Sequence, residues 1–424
     1  MKNSLLFLLL ITAILCYSCI ESEASINEQE TNATDFDQDT INHVLTKPYL
    51  QNVSTSGITI MWETDTVELG TIHYGTMATE LSQHVVSVAI KTNASTYVHK
   101  APIADLKPGT SYYYQLNSGG KEYQIQHFTT APQSKTASFV VGIWGDSHYA
   151  EPWSRMADFM INEMKADLAF STGDISNSGN KRADLASVFL PHVCERIGAH
   201  IPFYASLGNH DVGDRWDGGD LVRQYFDCPS EINSDQEGFA GSYLMMYGNV
   251  AFISIDWNKM ENDVQPNAWL ENVLKSNRVQ EARYRFIFIH NAPFYERWQE
   301  AEKTEVKKNL PLLASKYKVN AIFSGHMHGY ERGWLDGVNY ITQGGGSYMD
   351  INESVGPRLY EHIIIGTNKA QNPENFNNGL VNHILTLHIE NEKALVRLHY
   401  FDKKGDYRGV IETIEMKTNK ISKK

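Results

Sequence analysis

The feature that most constrains the fold is a series of short apolar runs after residue 137, most of them followed by a polar turn. Amphipathic stretches such as PWSRMADFMINEMKA and NAWLENVLKSN separate several of the runs. Apolar strands that alternate with helices are typical of a layered α/β domain whose strands are covered on both faces. The runs are SFVVGIW, ADLAFST, IPFYASL, NVAFISI, RFIFIH, VNAIFSG and VNYITQG.

The end of this region, LTLHIENEKALVRLHYFD, has the pattern of a hairpin with its turn near Glu392. Two strands that alternate in this way would extend one edge of a sheet. We therefore predict that the α/β domain spans residues 137–415.

Residues 45–132 form a different kind of segment, with short alternating strand patterns and turns rich in Gly, Pro, Asn and Ser. Dense β signals without helical periodicity predict an all-β sandwich, and APQSKTA is a plausible linker to the next domain. The segment contains no cluster of metal ligands, so we expect it to have a structural or positioning role. Its histidines, His73, His84 and His99, are interpreted as surface or packing residues.

The amino terminus predicts export. One Lys precedes the apolar run Leu5–Leu15, which is too short for a comfortable membrane span and is typical of a secretory signal. A small residue before Cys19 resembles a bacterial lipoprotein cleavage site, so residues 1–19 are assigned to a lipoprotein-type signal peptide, with ordinary cleavage near Ala24 as the alternative. Residues 20–44 are acidic and poor in apolar side chains, which predicts a disordered tether.

Charge and cysteine content argue against a nucleic-acid-binding protein and against a zinc site built from cysteines. A net charge of −13 argues against a nucleic-acid-binding surface, but a bound metal can reverse the local field for an anionic substrate. Cys194 and Cys228 lie outside the signal region and could either pair or remain two buried thiols. The chain has no CxxC motif, so a thiolate zinc site is not expected.

Residues able to bind a metal follow five of the apolar runs. The carboxyl ends of parallel strands meet at one edge of a sheet, so these side chains can converge on one site. One such motif occurs by chance in many proteins, but five in succession make a chance arrangement a poor explanation. The residues are Asp146 and His148 after FVVGIW, Asp174 after LAFST, Asn209, His210 and Asp211 after FYASL, His290 after RFIFI, and His326 and His328 after NAIFSG.

The donor types limit which metal could bind. Oxygen and imidazole nitrogen without thiolate suit Zn, Mn, Fe or similar divalent ions. Seven candidate ligands exceed one tetrahedral site and suit two ions, with a carboxylate such as Asp174 as the bridge. Gly145, Gly173, Gly208 and Gly325 precede candidate ligands, and the missing Cβ would allow a close backbone approach.

In their order along the chain, GDxH, GD, GNHD, H and GHxH resemble the calcineurin-like metallophosphoesterase superfamily. GHMHGYER, YITQGGGS and the sandwich segments KPYLQNVSTSGITIMWET, LKPGTSYYYQL and FTTAP are similar to its purple acid phosphatase branch. The resemblance spans residues 45–400. It implies a fibronectin-III-like domain before a catalytic domain of four layers, in which helices flank two packed sheets.

The resemblance also implies a role for each motif residue. One metal ion would be held by Asp146, His148, Asp174 and His328. The other would be held by Asp174 as the bridge with Asn209, His290 and His326. His210 would donate a proton to the leaving oxygen as general acid, and Asp211 would orient His210.

Two positions depart from the purple acid phosphatase pattern. Those enzymes carry a tyrosine three residues after the bridging aspartate, and its phenolate binds ferric iron; Asn177 stands there in this chain. His148 stands where they usually have a residue other than histidine. We therefore predict a colourless protein whose first site accepts a divalent ion.

The sequence predicts an exported, binuclear-metal-dependent phosphoesterase, an acid phosphatase-like hydrolase that cleaves phosphate mono- or diesters by attack of a metal-bound hydroxide. Its expected partner is a small phosphate ester, and its contact with a membrane is a lipid anchor at Cys19; otherwise it is secreted or periplasmic. The alternative is a catalytically inactive extracellular binding or adhesion module. Such a module would be expected to have lost ligands, and none of the seven is missing.

Overall fold

The computed structural model describes most of the chain in segments. They cover residues 43–149, 151–212, 220–229, 241–262, 265–295, 304–347, 362–365, 382–390 and 392–417. All belong to one compact unit. The predicted signal peptide lies outside the described residues, and so does the tether apart from its last two residues. No helix in the described segments is both long and apolar enough to cross a membrane.

The first part of the chain forms a sandwich of two antiparallel sheets, as predicted. One sheet has the order β1 (Val44–Gln51), β2 (Ile58–Thr64), β6 (Tyr97–Ile103) and β5 (Val88–Lys91). The other has the order β4 (Gln83–Val86), β3 (Thr71–Gly75), β7 (Ser111–Ser118) and β8 (Lys121–Glu122), with β9 (Gln126–Thr129) also paired to β7.

Alternation of side chains explains why these strands pack as a sandwich. In β7, Tyr112, Tyr114 and Leu116 point to the buried face while the residues between them are exposed or half-buried. His99 is fully buried and stacks on Trp62 at 4.9 Å between ring centroids. His99 is thus a packing residue, whereas His73 and His84 face each other on the outer side of the second sheet.

The rest of the chain forms two larger mixed sheets, and all seven apolar runs are strands in them. The six-stranded sheet has the order β12 (Phe203–Ala205), β11 (Leu168–Ser171), β10 (Phe139–Trp144), β20 (Asn382–Ile389), β21 (Ala394–Phe401) and β22 (Tyr407–Met416). The seven-stranded sheet has the order β13 (Tyr243–Tyr247), β14 (Val250–Ile255), β15 (Tyr284–Ile289), β16 (Ala321–Ser324), β18 (Val338–Gln343), β17 (Tyr330–Leu335) and β19 (His362–Ile365).

Short helices lie between the strands. They are α1 (Trp153–Asn162), α2 (Arg182–Asp184) with its π-helical continuation Leu185–Cys194, α3 (Asn209–Val212), α4 (Asp220–Arg223), α5 (Trp257–Asn262), α6 (Gln265–Lys275), α7 (Asn277–Gln280) and α8 (Thr304–Lys316). Helix α1 packs on the six-stranded sheet, with Trp153 stacked on Trp144. Apolar residues of α6 and α8 pack on the outer face of the seven-stranded sheet. The layered α/β prediction is therefore confirmed.

Aromatic side chains fill the space between the two sheets. Phe170 of β11 lies 4.3 Å from Phe288 and 5.6 Å from Phe252, measured between ring centroids. Large buried rings supply much of the apolar area that stabilises such a core. This packing holds the two sheets face to face. The carboxyl ends of their parallel strands therefore lie close to each other.

The predicted hairpin is present, with one more strand beyond it. β20 and β21 pair antiparallel, and β20 pairs with β10, so the hairpin extends the six-stranded sheet. β22 then adds the outermost strand of that edge. Arg332 in β17 forms hydrogen bonds of 3.2 Å with both carboxylate oxygens of Glu412 in β22, which ties the two sheets together.

Candidate metal centre

The predicted ligands lie in loops that leave neighbouring parallel strands. β10, β11 and β12 run parallel in one sheet, and β15 and β16 run parallel in the other. Their carboxyl ends meet where the sheets face each other, as expected for a site in a layered α/β fold. The structure brings all seven predicted ligands and His210 together there.

The first group of donor atoms comprises Asp146, His148 and His328, whose ligand atoms lie within 4.8 Å of one another. The two Nε2 atoms of His148 and His328 are 3.2 Å apart, and His328 Nε2 is 3.5 Å from Asp146 Oδ1. Asp174 Oδ2 lies 3.5 Å from His148 Nε2, which links this group to the second.

The second group comprises Asp174, His290 and His326. His290 Nε2 lies 3.2 Å from Asp174 Oδ2 and 3.1 Å from Asn209 Oδ1. The other ring nitrogen of His290, Nδ1, is 2.8 Å from the carbonyl of Thr172. This contact fixes the ring orientation and leaves Nε2 directed into the cluster, as in most histidines that bind metals.

Burial and neighbouring charges together set the protonation of the cluster. It lowers the pKa of His148 to about 4 and that of His328 to about 3, so both imidazoles are neutral at pH 7. Burial would lower the pKa of His290 as well, but Asp174 raises it to about 9. Burial opposes ionisation of Asp174, yet the neighbouring His290 outweighs it and the Asp174 pKa falls well below its usual range.

Three of the candidate ligands have an unusual backbone conformation. Asp146, Asp174 and His326 have φ angles of 57°, 53° and 70°, in the left-handed region that residues other than glycine rarely adopt. Strain of this kind is typical of functional sites, where surrounding contacts hold the residue in place.

The glycines before the ligands allow close backbone approach, as the sequence predicted. A Cβ on Gly208 would lie 2.1 Å from Asp174 Oδ1, and one on Gly325 would lie 2.5 Å from Asp146 Oδ2. Any side chain at either position would therefore displace a ligand carboxylate.

The strained conformation of Asp146 is supported by residues 344–347 of the YITQGGGS motif, which was predicted to carry the family resemblance but not to support the site. Ser347 Oγ donates a hydrogen bond of 2.7 Å to the Asp146 carbonyl, and the Gly346 amide donates one of 3.0 Å to the Gly145 carbonyl. Asn382 in turn donates to the carbonyls of Gly345 and Ser347. Residues 344–347 follow strand β18 directly, so the same reasoning from strand ends would have placed them at the site.

His210 and Asp211 are both present at the site, but the partners of Asp211 differ from the predicted one. His210 Nδ1 lies 3.1 Å from the carbonyl of Asn177, and its ring centroid is 4.4 Å from that of His148. The Asp211 carboxylate accepts hydrogen bonds from the backbone amides of residues 174, 175, 176 and 208, at 2.8 to 3.1 Å. Asp211 therefore holds the loop of Asp174, while Asn177 orients the His210 ring.

Met327 separates the two histidines of GHMHGYER and faces away from the donor atoms. It is fully buried and packs with Ala292 and Tyr295. The Tyr295 hydroxyl accepts from the Ala292 amide at 2.7 Å and donates to the Gly325 carbonyl at 3.4 Å. This contact connects the loop of His290 to the loop of His326.

The donor set fits a metal centre. Carboxylate oxygens, an amide oxygen and imidazole nitrogens are ligands that Zn, Mn and Fe accept. Cys194 and Cys228 are buried free thiols in the structure, and neither belongs to the donor groups.

Comparison with known families agrees with this geometry. Residues 139–330 match the family model "Calcineurin-like phosphoesterase", and residues 46–140 match "Purple acid Phosphatase, N-terminal domain". The chain therefore contains a calcineurin-like phosphoesterase domain preceded by the N-terminal domain of purple acid phosphatases. The resemblance inferred from the motifs is thus confirmed.

The curated relatives are purple acid phosphatases at low identity. The chain is 24% identical over 260 residues to Fe(3+)-Zn(2+) purple acid phosphatase 12 of Arabidopsis thaliana, covering 56% of this chain and 52% of that protein. It is 24% identical over 262 residues to purple acid phosphatase 1 of Ipomoea batatas, covering 58% and 54%. It is also 26% identical over 273 residues to probable inactive purple acid phosphatase 27 of Arabidopsis thaliana, covering 56% and 44%. The chain spans about half the length of these relatives.

Solved structures support the fold. Purple acid phosphatase PPD1 from yellow lupin (Lupinus luteus) seeds superposes with a TM-score of 0.68 at 19% identity, covering 87% of this chain and 73% of that chain. The structure of PhoD superposes with a TM-score of 0.58 at 9% identity, covering 86% and 91%. Both share the architecture with this protein.

Proposed function

We propose that this protein is a metal-dependent phosphoesterase that hydrolyses phosphate mono- or diesters with two divalent ions, Zn, Mn or Fe. The observation that carries the proposal is the convergence of buried and half-buried donor side chains from five strand ends. The donor atoms of Asp146, His148 and His328 lie within 4.8 Å of one another, and so do those of Asp174, His290 and His326. Two metal ions bound there would supply Lewis acidity and an activated water for attack on phosphorus.

The ligands divide between two ions that share Asp174. The first ion would be held by Asp146, His148, Asp174 and His328, and the second by Asp174, Asn209, His290 and His326. The division is supported by the two donor triads, which Asp174 connects through contacts of 3.5 Å to His148 and 3.2 Å to His290. The neutral imidazoles of His148 and His328 have the protonation state that a ligand requires.

His210 is the proposed general acid for the leaving oxygen. Its ring is half-buried beside His148, and its Nδ1 is held by the Asn177 carbonyl, which leaves Nε2 for the substrate. Asp211 is a positioning residue in this proposal, because its carboxylate binds the backbone of the Asp174 loop.

The alternative, an inactive extracellular binding or adhesion module, has less support. One relative is named a probable inactive purple acid phosphatase, so loss of activity is a real outcome in proteins of this type. In this chain, however, no predicted ligand is replaced and all seven lie in the cluster. Preserved ligands in strained backbone positions favour an active centre.

Hydrolysis of a chromogenic phosphate ester tests the proposal. The protein, loaded with Mn, Zn or Fe(II), should release the chromophore, and the chelated protein should not. Asp174→Ala should lose both activity and bound metal because the bridging carboxylate is gone. Turnover that persists after full chelation would contradict a metal-dependent mechanism, and metal binding without turnover of mono- or diesters would favour the binding module.

We also propose that the enzyme works outside the cytoplasm on a lipid anchor at Cys19. The support is the lipoprotein-like pattern at residues 1–19 and the acidic tether that follows. Metabolic labelling with a fatty acid tests this, since a Cys19→Ala variant should lose the label. A protein that is cleaved near Ala24 and carries no lipid would show ordinary secretion instead.

A further inference from the structure

We propose that the β-sandwich positions the general acid, through an ion pair between the buried Glu63 of the sandwich and the half-buried Arg182 of the catalytic domain. The inference rests on the proposed function, because it assigns a positioning role to two residues outside the metal cluster. It concerns the loop 175–181, which follows the bridging Asp174 and leads into Arg182.

Glu63 is held on all sides by donors. It lies near the end of β2 and is fully buried, and its two carboxylate oxygens accept hydrogen bonds of 2.8 Å from Nε and Nη2 of Arg182. The hydroxyls of Tyr225 and Thr46 donate to it at 2.6 and 2.9 Å. A bidentate contact of this kind fixes direction as well as distance, so removing the charge of Glu63 releases the half-buried Arg182 side chain from that direction.

The loop next to Arg182 carries the contacts that hold His210. The Asn177 carbonyl lies 3.1 Å from His210 Nδ1, and the Gly179 amide donates to the His210 carbonyl at 2.9 Å. The Val222 amide donates to the Gly179 carbonyl at 3.0 Å, three residues before Tyr225. Glu63 therefore contacts the chain on both sides of the 175–181 loop. It binds Arg182, which directly follows the loop, and it binds Tyr225, which lies three residues after the Val222 amide that contacts the loop.

Loss of the ion pair should therefore misplace His210 without removing a metal ligand. A general acid matters most for a poor leaving group such as an alkoxide, because that oxygen needs a proton as the bond to phosphorus breaks. A dinitrophenolate leaves without a proton and needs little assistance. The ratio of activities on an alkyl phosphate and on dinitrophenyl phosphate reports the placement of His210.

The test compares Glu63→Gln with Lys100→Met in the full-length, metal-loaded protein. Lys100 forms another ion pair between the same two domains, 3.2 Å from Asp227, and its second hydrogen bond goes to the Phe226 carbonyl at 2.8 Å. Glu63→Gln should lower kcat on glycerol phosphate about tenfold and change kcat on dinitrophenyl phosphate less than about twofold, with metal content unchanged. Lys100→Met should leave the ratio of the two activities at the parent value.

An equal fall on both substrates, or no fall on either, would overturn the inference, because a merely structural role lowers both together. Tyr225→Phe keeps the ion pair and is the second test variant if Glu63→Gln does not fold. It should shift the ratio of the activities on glycerol phosphate and dinitrophenyl phosphate in the same direction, by a smaller factor. Hydrogen exchange of the backbone amides of residues 175–181 can be measured without any enzyme activity. The exchange should be faster in Glu63→Gln than in the parent protein and unchanged in Lys100→Met. A parent protein inactive on both esters refutes the proposed function, while unchanged exchange refutes the role of Glu63.

Discussion

At the scale of single residues, His210 separates catalysis from metal binding. His210→Ala should lower kcat on a phenyl phosphate by about 10²-fold or more, as expected when a general acid is removed, and should keep the metal content of the parent. The measurement is steady-state kinetics together with metal analysis by mass spectrometry. His127→Ala is the matched control, since His127 is an exposed histidine of the sandwich.

A loss of metal in His210→Ala would show that His210 is a ligand instead. The geometry makes this a sharp test, because His210 has a ligand nitrogen within 4.8 Å of donor atoms of His148 and Asp174. The same experiment therefore decides between the two roles that this ring position allows.

Asn177 leads to a prediction about the colour of the protein. Its position is where purple acid phosphatases have the tyrosine whose phenolate binds ferric iron, and an asparagine cannot form that charge-transfer pair. We predict that the purified protein is colourless, with no intense visible band even when iron is loaded. A visible absorption spectrum after loading with ferric iron checks this, and an intense band would contradict it.

At the scale of elements, the turns at the strand ends determine whether the ligands can assemble. Gly208→Ala should abolish metal binding and activity, because the new Cβ would meet Asp174 Oδ1 at 2.1 Å and the Asp174 amide at 2.7 Å. Gly120→Ala is the control. Its φ of 72° strains the backbone of an alanine, but no atom lies within 4 Å of the added Cβ. The control should cost about 1 kcal/mol of stability and keep both metal and activity. Retention of metal in Gly208→Ala would contradict the close approach.

The sandwich contains an element that should respond to acid. His99 is fully buried between Thr64 Oγ1 at 2.7 Å and Ser87 Oγ at 3.1 Å, and burial lowers its pKa from 6.5 to about 4. Between these two values the unfolded chain is protonated at this residue while the folded chain is not, so acidification favours unfolding. This contribution is fully present above pH 6.5 and is lost as the pH falls toward 4.

The loss attributable to His99 between pH 7.5 and pH 5 should be about 2 kcal/mol. Chemical denaturation at both pH values gives the change in the free energy of unfolding with pH for the parent protein and for His99→Gln. The difference between these two changes is the contribution of His99. Equal slopes in the two proteins would show that His99 gains a proton without cost when folded.

The same elements show why much of the site was predictable. Asp146, Asp174 and His290 each lie within three residues of the end of a short apolar strand, and the parallel arrangement of such strands brings their ends together. Local pattern and a general rule of sheet geometry were therefore sufficient to place them. Asn209 and His326 follow from the same reasoning.

At the scale of the whole molecule, the contacts that support the site were not predictable. Glu63 and Arg182 lie 119 residues apart, and Ser347 lies 201 residues from the Asp146 carbonyl it binds. No periodicity relates such pairs, because they depend on how separate sheets and domains pack. The partners of Asp211 were missed for a similar reason: its backbone contacts depend on the path of the loop after Asp174.

The metal centre should couple to the stability of the whole catalytic domain, because its ligands come from both sheets. Asp146 and Asp174 are buried carboxylates, and burial raises the Asp146 pKa well above its usual value. A bound ion offsets the cost of placing these charges in the interior. At a free metal concentration a hundredfold above Kd, one ion should stabilise the fold by about 2.7 kcal/mol.

Chelation should accordingly lower the unfolding temperature by several degrees, and added Zn or Mn should restore it. Calorimetry of the parent with and without chelator measures the change, and Asp174→Ala is the control that should not respond to metal. If the unfolding temperature of the parent protein does not change with chelator or added metal, the donor atoms are held together by the protein alone. A variant that responds like the parent would show that the ion binds elsewhere. The expected result, a response confined to the intact cluster, would link both sheets to one bound centre.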